Sequence, residues 1–195
     1  MEVPRLKTAG GREGRRTRAE SRESKTRTAG PPRGPREIIG FIVRLLAGWA
    51  IAIVVLALVP DIERWAVAGT VASVGATLRL VSLNPAISGA TISLGSAALQ
   101  IIPECTPVMP VVLLATAMVG YPTPVRWKLA GIAVGIAALW LYNVARMIAL
   151  VATLAWWPQS FKFVHVYLWQ SVTLLVVTAL FLIWLRLQPT DRAGS

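Results

Sequence analysis

Three side chains in this chain have the chemistry of a covalent catalyst. They are its one cysteine, Cys105, its one histidine, His165, and Arg146, which sits inside a long apolar run. A thiolate nucleophile needs a proton acceptor, and imidazole titrates close to neutral pH. A developing oxyanion needs a fixed positive donor, which a guanidinium supplies. Asn143 precedes Arg146 by three residues. That spacing shares a helix face, so Asn143 can orient Arg146 or donate to a substrate. Taken singly, each residue has a plainer role. A lone cysteine is usually a small buried hydrophobe. An arginine can snorkel to a membrane boundary, and a histidine beside aromatic residues can simply line an interface. An intramembrane arginine costs about 2.5–3.5 kcal/mol even on insertion scales, so function is the default expectation for it.

The elements that must position these residues are hydrophobic helices. The chain has 195 residues, 55% hydrophobic and 15% charged, with mean hydropathy +0.60. Charge is concentrated at one end: 11 of the 20 Lys/Arg and four of the 9 Asp/Glu precede Glu37. Residues 1–37 hold few large apolar side chains and much Gly, Pro, Ser and Arg. Too little apolar surface is available there to offset ordering entropy, which predicts a disordered basic tail. Arg-rich segments bind phosphate. The tail lacks an aromatic residue to stack on bases, so anionic lipid headgroups are expected rather than a specific nucleic acid. A cleavable signal peptide is not expected, because the apolar run after the tail is a full span.

Four spans are predicted within a membrane domain over 38–186, followed by a short cytoplasmic tail over 187–195. The first runs Ile38 to Val59, interrupted by Arg44. The second runs Val108 to Tyr121, and the fourth runs Val164 to Leu185. The third, Val125 to Trp157, has 33 residues. One helix of that length is about 50 Å and must tilt, kink or project from a roughly 30 Å core. Asp61-Ile-Glu63-Arg64 reads as a polar turn, and Trp65 to Leu83 as an interfacial helix. Thr91 to Leu94 and Leu99 to Ile101 alternate around Gly95-Ser96, which predicts a short hairpin. Its free edges exclude it from lipid, so it belongs in water or against protein. Gly131, Gly135 and Ala138 form a small-residue face for a helix neighbour, more simply one within this protein.

Basic clusters set the orientation. The tail, Arg126/Lys128 and Arg186/Arg192 all fall on the cytoplasmic side with four spans, while Asp61, Glu63 and Glu104 fall outside. Both termini are then cytoplasmic, in a multi-pass protein of the cytoplasmic membrane. Arg146 lies 18 residues beyond Lys128, or about 27 Å up the third span. Cys105, Arg146 and His165 therefore meet the outer boundary on three different helices.

One Cys and one His cannot make a usual metal site. Phosphate loops, serine-hydrolase elbows and zinc-protease motifs are absent from the sequence, so no cofactor is expected. A competing class is a non-enzymatic assembly component in which Arg146 binds a lipid phosphate or a partner's acidic group. A small transporter would want more polar residues through the midplane than the spans offer.

A Cys opening a span, then Asn143-x-x-Arg146 near the end of the next long helix, then His165 at the start of the last, resembles the exosortase/archaeosortase family. Ile87 to Glu104, with its hairpin just before the Cys, resembles that family too, and the likeness covers roughly Ile38 to Arg186. It implies a membrane-embedded cysteine transpeptidase, a thiol protease acting in protein sorting. The expected partners are exported proteins ending in a short motif, a hydrophobic helix and a basic end, cleaved at the outer face and transferred to an acceptor. On this likeness Cys105 is the nucleophile, Arg146 the oxyanion stabiliser and His165 the general acid/base. Glu104-Cys105-Thr106-Pro107 departs from the Cys-Ser-Gly-like run of many bacterial exosortases, so the sorting motif does not carry over.

Overall fold

A computed structural model describes residues 34–188 apart from Ser96, with Glu37 described by its backbone alone. The basic tail expected over 1–37 lies outside the described residues up to position 33, as does the C-terminal tail from 189. Residues 35–37 belong instead to the first helix, α1, Pro35–Leu58. Proline at the first helical position loses no hydrogen bond, and its fixed φ starts the helix early.

The remaining helices are α2 (Asp61–Leu80), α3 (Val108–Gly120), α4 (Val125–Trp156) and α5 (Pro158–Leu187). The chain is a largely helical membrane protein. Residues 38–58 of α1, α4 and α5 are long and apolar enough to cross a bilayer. The expected second span differs from these. At 13 residues, α3 covers only about 20 Å of a roughly 30 Å core. The expected polar turn at 61–64 is the first turn of α2, not a linker. Asp61 and Glu63 there complement the positive end of the helix dipole. The 32-residue run of α4 is a single helix.

α2 ends with a serine where glycine is usual. Ser82 adopts φ +62°. The Ser82 N–H donates to Arg79 O at 3.0 Å, and the Leu83 N–H to Leu78 O at 3.0 Å. This pair of bonds needs a left-handed residue at position 82. A side chain is costly there, so Ser82→Gly is expected to stabilise the protein by about 0.5–1 kcal/mol, read as a higher melting temperature in detergent.

The predicted hairpin is two strands of a three-stranded antiparallel sheet, ordered β1 (Ala86–Ser88), β2 (Thr91–Leu94), β3 (Ala97–Gln100). Gly89 and Gly95 take positive φ in its two turns. β1 is only three residues long and exposed, too short to announce itself by alternation. Ile92, Leu99 and Ile101 face inward with Val71, Val74 and Leu78 of α2 and Met147, Leu150 and Val151 of α4. Gly75 of α2 leaves room for the Ile87 side chain. One face of the sheet thus rests on α2 and α4.

A second core joins α3 to α4 and α5 through Leu114, Met118, Leu139, Val177 and Trp184. The small-residue face of α4 is used here. A Cβ on Gly135 would fall 2.5 Å from Leu114 Cδ2, and one on Gly131 would collide with the Trp184 indole. That indole N–H donates to Trp127 O at 3.0 Å. Internal packing therefore occupies this part of the face. Arg44, whose guanidinium reaches Gly120 O at 3.3 Å, and Lys128, whose ammonium reaches Val119 O at 2.6 Å, mark the same end of the bundle.

Candidate active site

Cys105 sits in a 3-10 turn, Pro103–Cys105, between the sheet and α3. Prolines 103 and 107 restrict the backbone on both sides. The Cys105 N–H donates to Ile102 O at 2.8 Å, and the Thr106 N–H to Pro103 O at 3.0 Å. The Thr106 hydroxyl also donates to Pro103 O, at 2.7 Å. α2 packs over this turn, and Cys105 belongs to the core that the sheet shares with α2 and α4.

Asn143 and Arg146 project from α4 into this region. They are 3% and 7% exposed, and Cys105 is 2% exposed, so all three are out of solvent. Asn143 Nδ2 donates to the Cys105 carbonyl at 3.0 Å. Its positioning effect falls on the cysteine turn itself. Arg146 is within electrostatic reach of the Cys105 thiol, the Tyr142 phenol and the His165 ring. Its Nε is buried with no hydrogen-bond partner among the described residues. A buried guanidinium without a carboxylate is expensive unless something binds it.

His165 enters from α5. The helix there is not regular: Val164–Leu168 is a π-helical turn, preceded by one α-turn, Phe161–Phe163. The expected start of the last helix at Val164 is thus moved back by a 3-10 turn, Pro158–Ser160, and the α-turn. Such π-turns accompany functional sites often, because the extra residue re-aims side chains. Phe161 stacks on the His165 ring, with centroids 5.5 Å apart and planes 5° apart. His165 Nδ1 is buried and has no partner among the described residues.

Of the three expected residues, Arg146 is within electrostatic reach of both Cys105 and His165, and no hydrogen bond joins any two of them among the described residues. Two further side chains join them that the sequence did not single out. The Tyr142 ring meets Trp169 edge-on, with centroids 6.1 Å apart. The Tyr142 and Thr173 hydroxyls share a hydrogen bond of 2.8 Å. Tyr142 is four residues before Arg146 and Trp169 four after His165. That one-turn spacing could have flagged both.

An apolar cavity of about 610 Å³ opens between α1, α2, α3 and α4. Pro107 and Val108 form part of its wall, so it begins two residues from Cys105. Trp65, Trp156 and Trp157 are exposed, and Trp65 lines this cavity. No family model, curated protein or solved structure matches this chain.

Proposed function

We propose that the chain is a membrane-embedded cysteine peptidase/transpeptidase, resembling the exosortases, that acts on exported proteins at the outer face of the cytoplasmic membrane. The observation that carries this is Arg146: buried, without a partner for Nε among the described residues, and within electrostatic reach of both the cysteine and the histidine. An arginine held in this way is suited to charge that appears only during a reaction.

In the proposed reaction Cys105 gives its thiol proton to His165 and the thiolate sulfur attacks a peptide carbonyl carbon. A C–S bond forms and the carbonyl electron pair moves to oxygen beside Arg146. Collapse of the adduct expels the amine, which takes its proton from His165, and leaves a thioester. His165 then deprotonates an acceptor that attacks the thioester and frees Cys105. Asn143 holds the cysteine turn through its carbonyl. The substrates are proteins ending in a short motif, an apolar helix and basic residues, and the cavity beside Pro107 suits apolar side chains of that helix.

The membrane arrangement proposed with it has four passes and both termini in the cytoplasm. α3 completes its pass through the non-helical segment before it. The orientation is tested with Glu104→Cys in a Cys105→Ser background, since Glu104 is exposed. A membrane-impermeant maleimide should label this cysteine in intact spheroplasts. Labelling only after permeabilisation reverses the orientation and removes the proposed outer site.

The activity is tested by co-expressing the chain with epitope-tagged exported proteins of the same genome that carry such C-termini. Loss of the C-terminal helix, seen as a faster gel band that depends on the chain, is the expected result. Unchanged migration of every such protein counts against peptidase action. A non-enzymatic lipid- or partner-binding role would need Arg146 while leaving Cys105 and His165 dispensable.

A further inference from the structure

We infer that the indole N–H of Trp169 is a second donor to the carbonyl oxygen that Arg146 receives, so that a two-point oxyanion site spans α4 and α5. This rests on the proposal that Cys105 is a nucleophile. Trp169 Nε1 is buried and has no hydrogen-bond partner among the described residues, as is true of Arg146 Nε. Both groups are donors and cannot accept. Leaving either without an acceptor in a buried site is unfavourable. A ligand that satisfies both must present acceptor lone pairs, as a peptide carbonyl or its oxyanion does.

Placement supports a shared ligand. α4 and α5 are joined by a tight turn at Trp157, so they run antiparallel. Arg146 is within electrostatic reach of His165, and one turn away along α4 the Tyr142 ring meets Trp169. The two contacts are successive rungs between the same helices. Trp169 also packs against the core cluster that contains Cys105 and Met147. Ring packing against Tyr142 would be served equally by phenylalanine, which has no donor to leave unpaired. The nitrogen is therefore the feature that packing does not explain.

The test uses an N-acyl-leucine aldehyde on the full-length protein in detergent. The Cys105 sulfur adds to the aldehyde carbon; the carbonyl π pair moves to oxygen, which takes up the thiol proton by way of His165. Cys105 is the only cysteine, so protection from iodoacetamide reads adduct formation directly. In Trp169→Phe the aldehyde concentration for half-protection is expected to rise at least about tenfold, the scale of losing one oxyanion donor. A second readout follows the unmodified protein with 15N-labelled tryptophan. One indole N–H should move downfield as aldehyde is added, and that resonance should be the one missing from Trp169→Phe, or from Trp169→Tyr if the Phe variant is unstable. Equal half-protection in Trp169→Phe and the parent, or an unmoved Trp169 resonance on a protected cysteine, overturns the donor role and leaves the nucleophile standing. Absence of protection in the parent protein overturns both.

Discussion

Cys105→Ala is expected to abolish processing of a tripartite C-terminal reporter while leaving a folded protein. The sulfur is the atom that makes the bond in the proposed reaction, and no second cysteine exists to replace it. Removing it from a buried site deletes about one heavy atom of packing, which costs on the order of 1 kcal/mol. Activity should therefore fall to background while the melting temperature in detergent moves by only a few degrees. Processing that persists in this variant ends the cysteine mechanism. Cys105→Ser should be equally inactive, because its hydroxyl is a poorer nucleophile without a strong base beside it. A structural cysteine would behave the other way, since serine fills the space nearly as well.

Arg146→Leu is expected to reduce processing by about 10²–10³-fold, the range seen when an oxyanion donor is removed. The same change should leave stability unchanged or raise it, because a buried, incompletely paired guanidinium gives way to an apolar side chain of similar bulk. This opposition of activity and stability is the diagnostic. If Arg146 served the fold, Arg146→Leu would unfold the protein and lower activity only through that loss. Arg146→Lys retains charge but not the planar fork, so it should recover only part of the rate. Reporter cleavage per unit of folded enzyme, with melting curves on the same preparations, separates the outcomes. Near-normal cleavage by Arg146→Leu would remove the arginine from the mechanism.

Much of the membrane architecture was legible from runs of residues. Ile38 to Leu58 and Val125 to Trp156 are apolar over lengths sufficient to cross the bilayer, and length and hydropathy are properties of a segment by itself. The hairpin was legible for the same reason, since alternation and a Gly turn are local, although its second strand, expected over 99–101, runs over 97–100. β1 was not legible, because three exposed residues carry no pattern and pair only when β2 is already in place. The first turn of α2 was misread as a loop. Asp61 and Glu63 look like solvent-facing linker residues until the helix they begin supplies a dipole for them.

By itself the sequence determined which groups are available: one thiol, one imidazole, and Arg146 within a long apolar run, each near the end of a hydrophobic segment. Side-chain chemistry and rise per residue are fixed before any tertiary contact forms. Tertiary structure alone decided their mutual relations. The Asn143 bond to the Cys105 carbonyl joins residues 38 positions apart. The meeting of Trp169 with Tyr142 exists only because α4 and α5 pack side by side. The physical reason is that which donors go unpaired in a buried site depends on what every neighbouring helix has brought there, and no single segment contains that information.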